Sequence, residues 1–125
     1  MDQATLVRDE ITAGAEFIEA LNRWQPISYA FWLKEPGCWR ELYLASPGFT
    51  HQNAVEGYTE VMRILKEMND PNLRPTGVSL LTMDNPLVRA AQELASKQSG
   101  RLPARPDVSW FGGVEVEELF FYTIT

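Results

Sequence analysis

The last sixteen residues, WFGGVEVEELFFYTIT, constrain the fold of this chain more than any other stretch. Gly112 and Gly113 stand between β-forming residues, which is the pattern of a two-residue hairpin turn whose central positions both need positive φ. From Leu119 onward the segment is apolar on both of its alternating faces, as strands buried on both sides are. We therefore predict a turn at 111–114 and a long last strand, Val114 to Ile124, in the centre of a sheet.

Glu118 breaks the alternation of this last strand. It falls on the same face as Val116 and Phe120, and one extra residue at this point, a β-bulge, would exchange the two faces. A carboxylate in apolar surroundings either has a cationic partner or carries a raised pKa. We expect Arg40 or Arg89 to pair with it, and a functional acid is the alternative.

Upstream, helical periodicity and turn residues divide the chain into five further elements or hairpins. They are a helix from Thr5 to Trp24, a hairpin around Pro36 and Gly37, a helix after Asn53 with Tyr58, Met62, Leu65 and Met68 buried, a strand from Val78 to Met83, and a helix from Pro86 to Gly100. The order αββαβαββ predicts a single α+β domain over residues 1–125, with three helices and a mostly antiparallel five-stranded sheet.

The first hairpin suggests an interaction surface. If Glu35 lies opposite Cys38, one face of the hairpin is aliphatic and aromatic core, and Trp32, Trp39 and Tyr43 share the other face. If the first helix does not cover this second face, three large aromatic side chains form an exposed patch, which in soluble proteins usually binds a partner. Trp32, Trp39 and Tyr43 are therefore the predicted partner-binding residues.

An alternative site lies in the loop SGRLPARPD, at residues 99–107. Arg101 and Arg105 there have the planar guanidinium that suits a carboxylate or phosphate, and Glu118 or Asp84 would serve as the polar anchor of a pocket beneath the loop. This pattern describes a small protein that binds an anionic ligand, or a small enzyme. Neither the P-loop nor the dinucleotide-binding glycine motif is present.

The composition narrows the classes of function. A net charge of −6 disfavours nucleic acid and anionic membranes as partners, and no apolar run in the sequence is long enough to span a bilayer. Cys38 and His51 are the only thiol and imidazole; they cannot form a Cys/His zinc site, and their predicted separation disfavours a nucleophile and base pair. We predict no catalytic residue, no metal and no cofactor, and a cytoplasmic location.

Several stretches together, FWL, WRELYLASP, NPLVRAA and GGVEVEELFFYTI, resemble small uncharacterised bacterial proteins of similar length. The resemblance covers roughly residues 27–125 and implies no activity. The sequence therefore favours a non-catalytic cytoplasmic interaction or accessory domain that acts through an aromatic surface, as a homodimer or on another protein. The anionic-ligand pocket is the second hypothesis.

Overall fold

Three helices and six strands make up the described part of the chain, which in this computed structural model is residues 8–98 and 102–124. In chain order they are α1 Arg8–Asn22, β1 Tyr29–Lys34, β2 Glu41–Ala45, α2 Ala54–Met68, β3 Val78–Leu81, α3 Pro86–Lys97, β4 Trp110–Phe111, β5 Val114–Glu115 and β6 Glu118–Phe121. A short 3-10 turn, Pro75–Gly77, precedes β3. The predicted α+β class and its three helices are confirmed.

The strands form a four-stranded sheet with the order β3-β2-β1-β6 and a separate two-stranded ribbon of β4 and β5. β1 is antiparallel to β2 and to β6, whereas β2 and β3 are parallel. The prediction of a single five-stranded sheet was wrong, because the chain leaves the ribbon after Glu115 and pairs with β1 from Glu118. The predicted central position of the last strand was wrong as well, because β6 lies at an edge of the sheet. On its outer side the Phe121 amide donates to the Ala104 carbonyl of the preceding loop at 2.8 Å.

The diglycine turn is confirmed. Gly112 and Gly113 have φ values of 60° and 86°, in the region that other residues adopt at a cost. Beyond the ribbon, the Val116 amide donates to the Ser109 carbonyl at 2.8 Å and the Glu117 amide to the Lys34 carbonyl, also at 2.8 Å. The face exchange predicted near Glu118 therefore takes place where the chain passes from the ribbon to the sheet.

Two apolar clusters lie on opposite faces of the four-stranded sheet. The first packs α1 and α2 against one face, and includes Phe17, Leu21, Ala30, Trp32, Leu42, Leu44, Val61 and Ile64. The second packs α3 and the ribbon against the other face, and includes Phe31, Leu33, Ala45, Leu81, Val88, Ala91, Phe111, Leu119 and Phe121. None of the helices in the described ranges is long and apolar enough to cross a membrane.

The pairing of β1 with β2 differs by one residue from the prediction. Phe31 lies opposite Tyr43, and Trp32 lies opposite Leu42. The turn from Glu35 to Cys38 forms as expected, with the Cys38 amide 3.0 Å from the Glu35 carbonyl, but Leu33 pairs with Glu41 and not with Arg40, so the connection is one residue longer than predicted. Because side chains alternate along a strand, that single residue moves every β2 side chain to the other face.

The buried side of α2 also differs from the prediction. Gly57, Val61, Ile64 and Leu65 face the core, and Tyr58 and Met62 are exposed. A Cβ atom at Gly57 would lie 2.7 Å from Leu80 Cδ1, so the glycine allows the helix to lie close to β3. Of the four residues predicted to be buried on α2, Tyr58, Met62, Leu65 and Met68, only Leu65 is among the buried ones, so the buried side is rotated about the helix axis relative to the prediction.

Candidate interaction surface

Trp39 is the most exposed aromatic side chain described, with 70% of its surface accessible. The Arg74 guanidinium carbon lies 4.9 Å from the centroid of its ring, a cation–π contact. Arg74 Nη2 also donates to the Arg40 carbonyl at 3.2 Å. A tryptophan side chain has only two rotatable torsions, so it loses little conformational freedom when a partner covers it.

A cleft of about 220 Å³ opens beside this ring, and we call it the Trp39 cleft. Both Trp32 and Trp39 contribute to its walls, so the structure brings these two predicted residues to one site although they do not share a strand face. The complete lining is Glu10, Trp32, Trp39, Arg40, Pro71, Asn72, Leu73, Arg74, Gly77 and Val78.

Trp32 itself is nearly covered, at 5% exposure, because α1 lies over it. Its indole nitrogen donates to the Tyr122 hydroxyl at 2.8 Å, and that hydroxyl donates to the Ile11 carbonyl of α1 at 2.8 Å. Burial raises the pKa of Tyr122 to about 12; the Trp32 hydrogen bond works against this shift and the Glu10 charge adds to it. The first helix therefore covers the hairpin face that carries Trp32, and Trp32 does not belong to an exposed patch.

A larger apolar groove of about 780 Å³ lies between α2 and the segment 69–75, and we call it the α2 groove. Met62, half exposed, and the buried Leu65 form its α2 wall, while Leu73 and two prolines form the other. Its complete lining is Thr59, Met62, Arg63, Leu65, Lys66, Asn69, Asp70, Pro71, Leu73 and Pro75. Pro71 and Leu73 line both cavities, so groove and cleft adjoin at this segment; together they are the Trp39 surface.

Tyr43 lies on the opposite face of the sheet from Trp32. Its ring stacks on Phe31 with the centroids 5.5 Å apart, and it packs against the cluster under α3. Burial, and then the Glu41 carboxylate, raise the pKa of Tyr43 above its usual value. The expectation that Trp32, Trp39 and Tyr43 share one face was therefore wrong, and the reason is the one-residue shift of the hairpin.

The expected partner of Glu118 is confirmed as Arg40, which is 8% exposed. Arg40 Nε and Nη2 donate to the two Glu118 oxygens at 3.2 and 3.1 Å, and Nη1 donates to the Glu10 oxygens at 3.2 and 3.3 Å. This planar, bidentate arrangement joins α1 to the edge strand β6. Arg40 is thus engaged by carboxylates of its own chain.

Of the other residues of the predicted anion site, Arg105 lies near Glu118 and Asp84 lies far from both. The Arg105 guanidinium lies over the Phe120 ring at 5.1 Å, and the cavity it lines with Glu118 has a volume of about 10 Å³, room for roughly one water. Asp84 is exposed and follows β3, at the opposite edge of the sheet from β6; a hydrogen bond from the Thr82 hydroxyl lowers its pKa. Arg101 lies outside the described residues.

Cys38 and His51 are both exposed, Cys38 in the hairpin turn and His51 in the loop between β2 and α2. They therefore lie at opposite ends of β2, as the sequence predicts. Among the described residues no group of three or more His, Cys, Asp or Glu side chains is arranged to hold a metal ion.

Two features of the Trp39 surface were missed in the sequence. Arg74 had no predicted role, and nothing local in NLRPTG shows that its side chain reaches Trp39. Met62 was assigned to the core because a stripe through Tyr58 and Met62 fits helical spacing as well as the true one does. The available signal was the β-branched pair Val61 and Ile64, which marks the other stripe.

Comparison of the chain with protein-family models, with curated proteins and with solved structures finds no match.

Proposed function

We propose that this protein is a non-catalytic cytoplasmic interaction domain that binds a protein partner, or a second copy of itself, through the Trp39 surface. The observation that carries the proposal is the exposed Trp39 ring, in contact with Arg74, beside an adjoining apolar groove. Tryptophan, arginine and methionine are enriched in protein interfaces, and tryptophan and arginine dominate their energetics. The acidic composition and the single exposed cysteine are in keeping with a reducing cytoplasm.

The geometry gives less support to the anionic-ligand hypothesis. The guanidinium beside Glu118 is occupied by two carboxylates of the chain, and the cavity under residues 102–107 has space for a single small molecule such as water. Lys34, Arg40 and Arg105 all line this cavity, but Lys34 and Arg40 are paired with carboxylates of the chain and Arg105 lies over an aromatic ring. Ligand binding stays a prediction for this loop.

Sedimentation of the purified protein and affinity capture from its native lysate together test the proposal. The matched variants are Trp39→Ala and Trp110→Ala, because Trp110 is also exposed, at 66%, but lies on the ribbon β4–β5. We expect a dimer or a captured protein that Trp39→Ala weakens by about tenfold or more, as removal of an interface tryptophan worth ~2 kcal/mol implies. Trp110→Ala should leave the association unchanged.

Two results would contradict the proposal. One is a parent protein that sediments as a monomer at high micromolar concentration and captures nothing that depends on Trp39. The other is an association that Trp39→Ala leaves intact in a variant that is folded by circular dichroism.

A further inference from the structure

We infer that the occupant of the α2 groove is helix α2 of a second copy of this chain, packed antiparallel about a two-fold axis. The inference rests on the proposed function and names its partner. It follows from three properties of the exposed side of α2, which are its residue spacing, the position of an apolar side chain relative to the groove, and the position of two charges.

The exposed side of α2 has the spacing of a helix that packs against another helix. Val55, Thr59, Met62 and Lys66 follow one another at intervals of four, three and four residues, as the contact residues of a coiled coil do. All four are exposed, and we call them the α2 seam. Thr59 can be covered at little cost, because its hydroxyl already donates to the Val55 carbonyl of the same helix at 2.7 Å.

The α2 seam carries both an apolar projection and the groove that receives it. Val55, near the start of the helix, is 80% exposed, whereas Thr59, Met62 and Lys66 line the α2 groove. Val55 and Lys66 lie ~16 Å apart along the helix axis, at a rise of ~1.5 Å per residue. A different partner would need its own matching projection and groove. A two-fold axis through the middle of the seam supplies both, because such an interface pairs one patch with itself.

Two charges favour the antiparallel direction. Glu56 lies in the first turn of α2 and Lys66 in the last, and within residues 8–98 and 102–124 neither takes part in a salt bridge. In the antiparallel pair, Val55 lies beside the second copy's Lys66, so the adjoining Glu56 carboxylate comes within reach of that ammonium group, twice across the axis. A parallel pair would place Lys66 against Lys66 and align the two helix dipoles.

The other charges near the groove are engaged within the chain. Arg63 pairs with Glu60 and Glu67 of its own helix, to one side of the α2 seam, and Asp70 accepts from the Asn72 amide and side chain, each at 2.9 Å. Two chains of net charge −6 repel each other, but at physiological salt this repulsion is screened beyond about 8 Å. Because the seam belongs to one helix of 15 residues, we expect a weak dimer with a dissociation constant on the order of 10 μM.

Sedimentation of charge-reversed variants tests the inference. Glu56→Lys and Lys66→Glu should each weaken the dimer about tenfold, because each variant puts two like-charged pairs across the axis. Two combinations should restore the dimer to within about twofold of the parent. They are the double variant Glu56→Lys/Lys66→Glu, and an equimolar mixture of the two single variants, in which every lysine again faces a glutamate.

Two further variants localise the contact. Val55→Ser removes the projecting side chain and should weaken the dimer by about fivefold or more, from lost apolar contact. Lys97→Glu is the matched control and should leave the dimer unchanged, because it makes the same charge change on α3, which packs on the other face of the sheet. All the substituted positions are exposed, so we expect the variants to stay folded, and circular dichroism checks this.

A parent that stays monomeric at high micromolar concentration overturns the inference, and so does a dimer that a folded Glu56→Lys or Val55→Ser variant leaves intact. Losses in the single variants that neither combination restores overturn the antiparallel pairing. The proposed function is decided separately, by whether Trp39→Ala weakens the association or abolishes capture of a different protein. The two failures can therefore be told apart.

Discussion

Replacement of Gly14 by alanine tests how tightly α1 covers the hairpin. Gly14 is buried in α1, and a Cβ atom there would overlap the Tyr122 hydroxyl and lie 3.0 Å from Trp32 Nε1. At an exposed position inside a helix, Gly→Ala would raise the free energy of unfolding by ~1 kcal/mol. Here Tyr122 must move, which breaks its two hydrogen bonds at ~1 kcal/mol each and overpacks the site by ~1–3 kcal/mol. The net expectation is a loss of ~2–4 kcal/mol.

Thermal and urea unfolding of Gly14→Ala, Tyr122→Phe and the double variant provide the measurement. Removal of the hydroxyl relieves most of the overlap, so Gly14→Ala should cost at least ~1 kcal/mol less in the Tyr122→Phe background than in the parent. Ala15→Gly, at an exposed neighbouring position, measures the helix-propensity part alone. A Gly14→Ala variant more stable than the parent by ~1 kcal/mol would refute the close contact of α1 with Tyr122.

Three further predictions concern the C-terminal half. Valine at both Gly112 and Gly113 should lower the unfolding free energy by at least ~1–2 kcal/mol, because both residues have positive φ. Gly112→Ala alone should cost more than Gly113→Ala, because a Cβ atom at Gly112 would lie 2.9 Å from the Leu87 Cα, whereas a Cβ atom at Gly113 would meet open space. Phe121→Ala should cost ~3–5 kcal/mol in urea unfolding, because its ring fills the core on an edge strand; a change below ~1 kcal/mol would mean that β6 is only peripheral. The pKa of Tyr122 is 10.0 in the unfolded chain and about 12 in the folded protein. Its neutral hydroxyl therefore contributes fully to the free energy of unfolding below pH 10, and this contribution is lost as the pH rises from 10 towards 12. Tyr122→Phe should reduce the loss of stability over that pH range, and an alkaline unfolding profile identical to that of the parent would contradict the raised pKa.

The sequence was sufficient for the elements that have local signals. Gly112 and Gly113 specify their turn because positive φ is cheap only for glycine, and Asn85 before Pro86 marks the start of α3, where the Asn85 side chain accepts from the Leu87 amide at 2.9 Å. A cationic partner for Glu118 was also predictable, because a carboxylate among apolar residues needs a cation; the sequence left Arg40 and Arg89 as candidates, and the structure selects Arg40.

Properties that depend on the rest of the molecule were not predictable. The register of the first hairpin depends on one extra residue in the connection between Leu33 and Glu41, and an error of one residue reverses the faces of β2. The edge position of β6 has no signature in its composition, since α1 and α3 lie over opposite faces of the sheet and make both sides of this strand apolar. The Trp39 surface is assembled from β1–β2, α2 and the segment 69–75, so it exists only in the folded chain.

The central strand β1 has consequences for the order in which the chain can fold during synthesis. β1 can pair with β2 as soon as the first hairpin is made, but its other side pairs with β6, which is translated only after α2, β3, α3 and the ribbon. The Tyr122 hydroxyl that reaches Ile11 is 111 residues away in sequence, so α1 cannot be locked over Trp32 until Tyr122 has been translated. A nascent chain therefore carries an unpaired β1 edge beside an uncovered tryptophan, the type of surface on which partly made proteins aggregate and which chaperones protect.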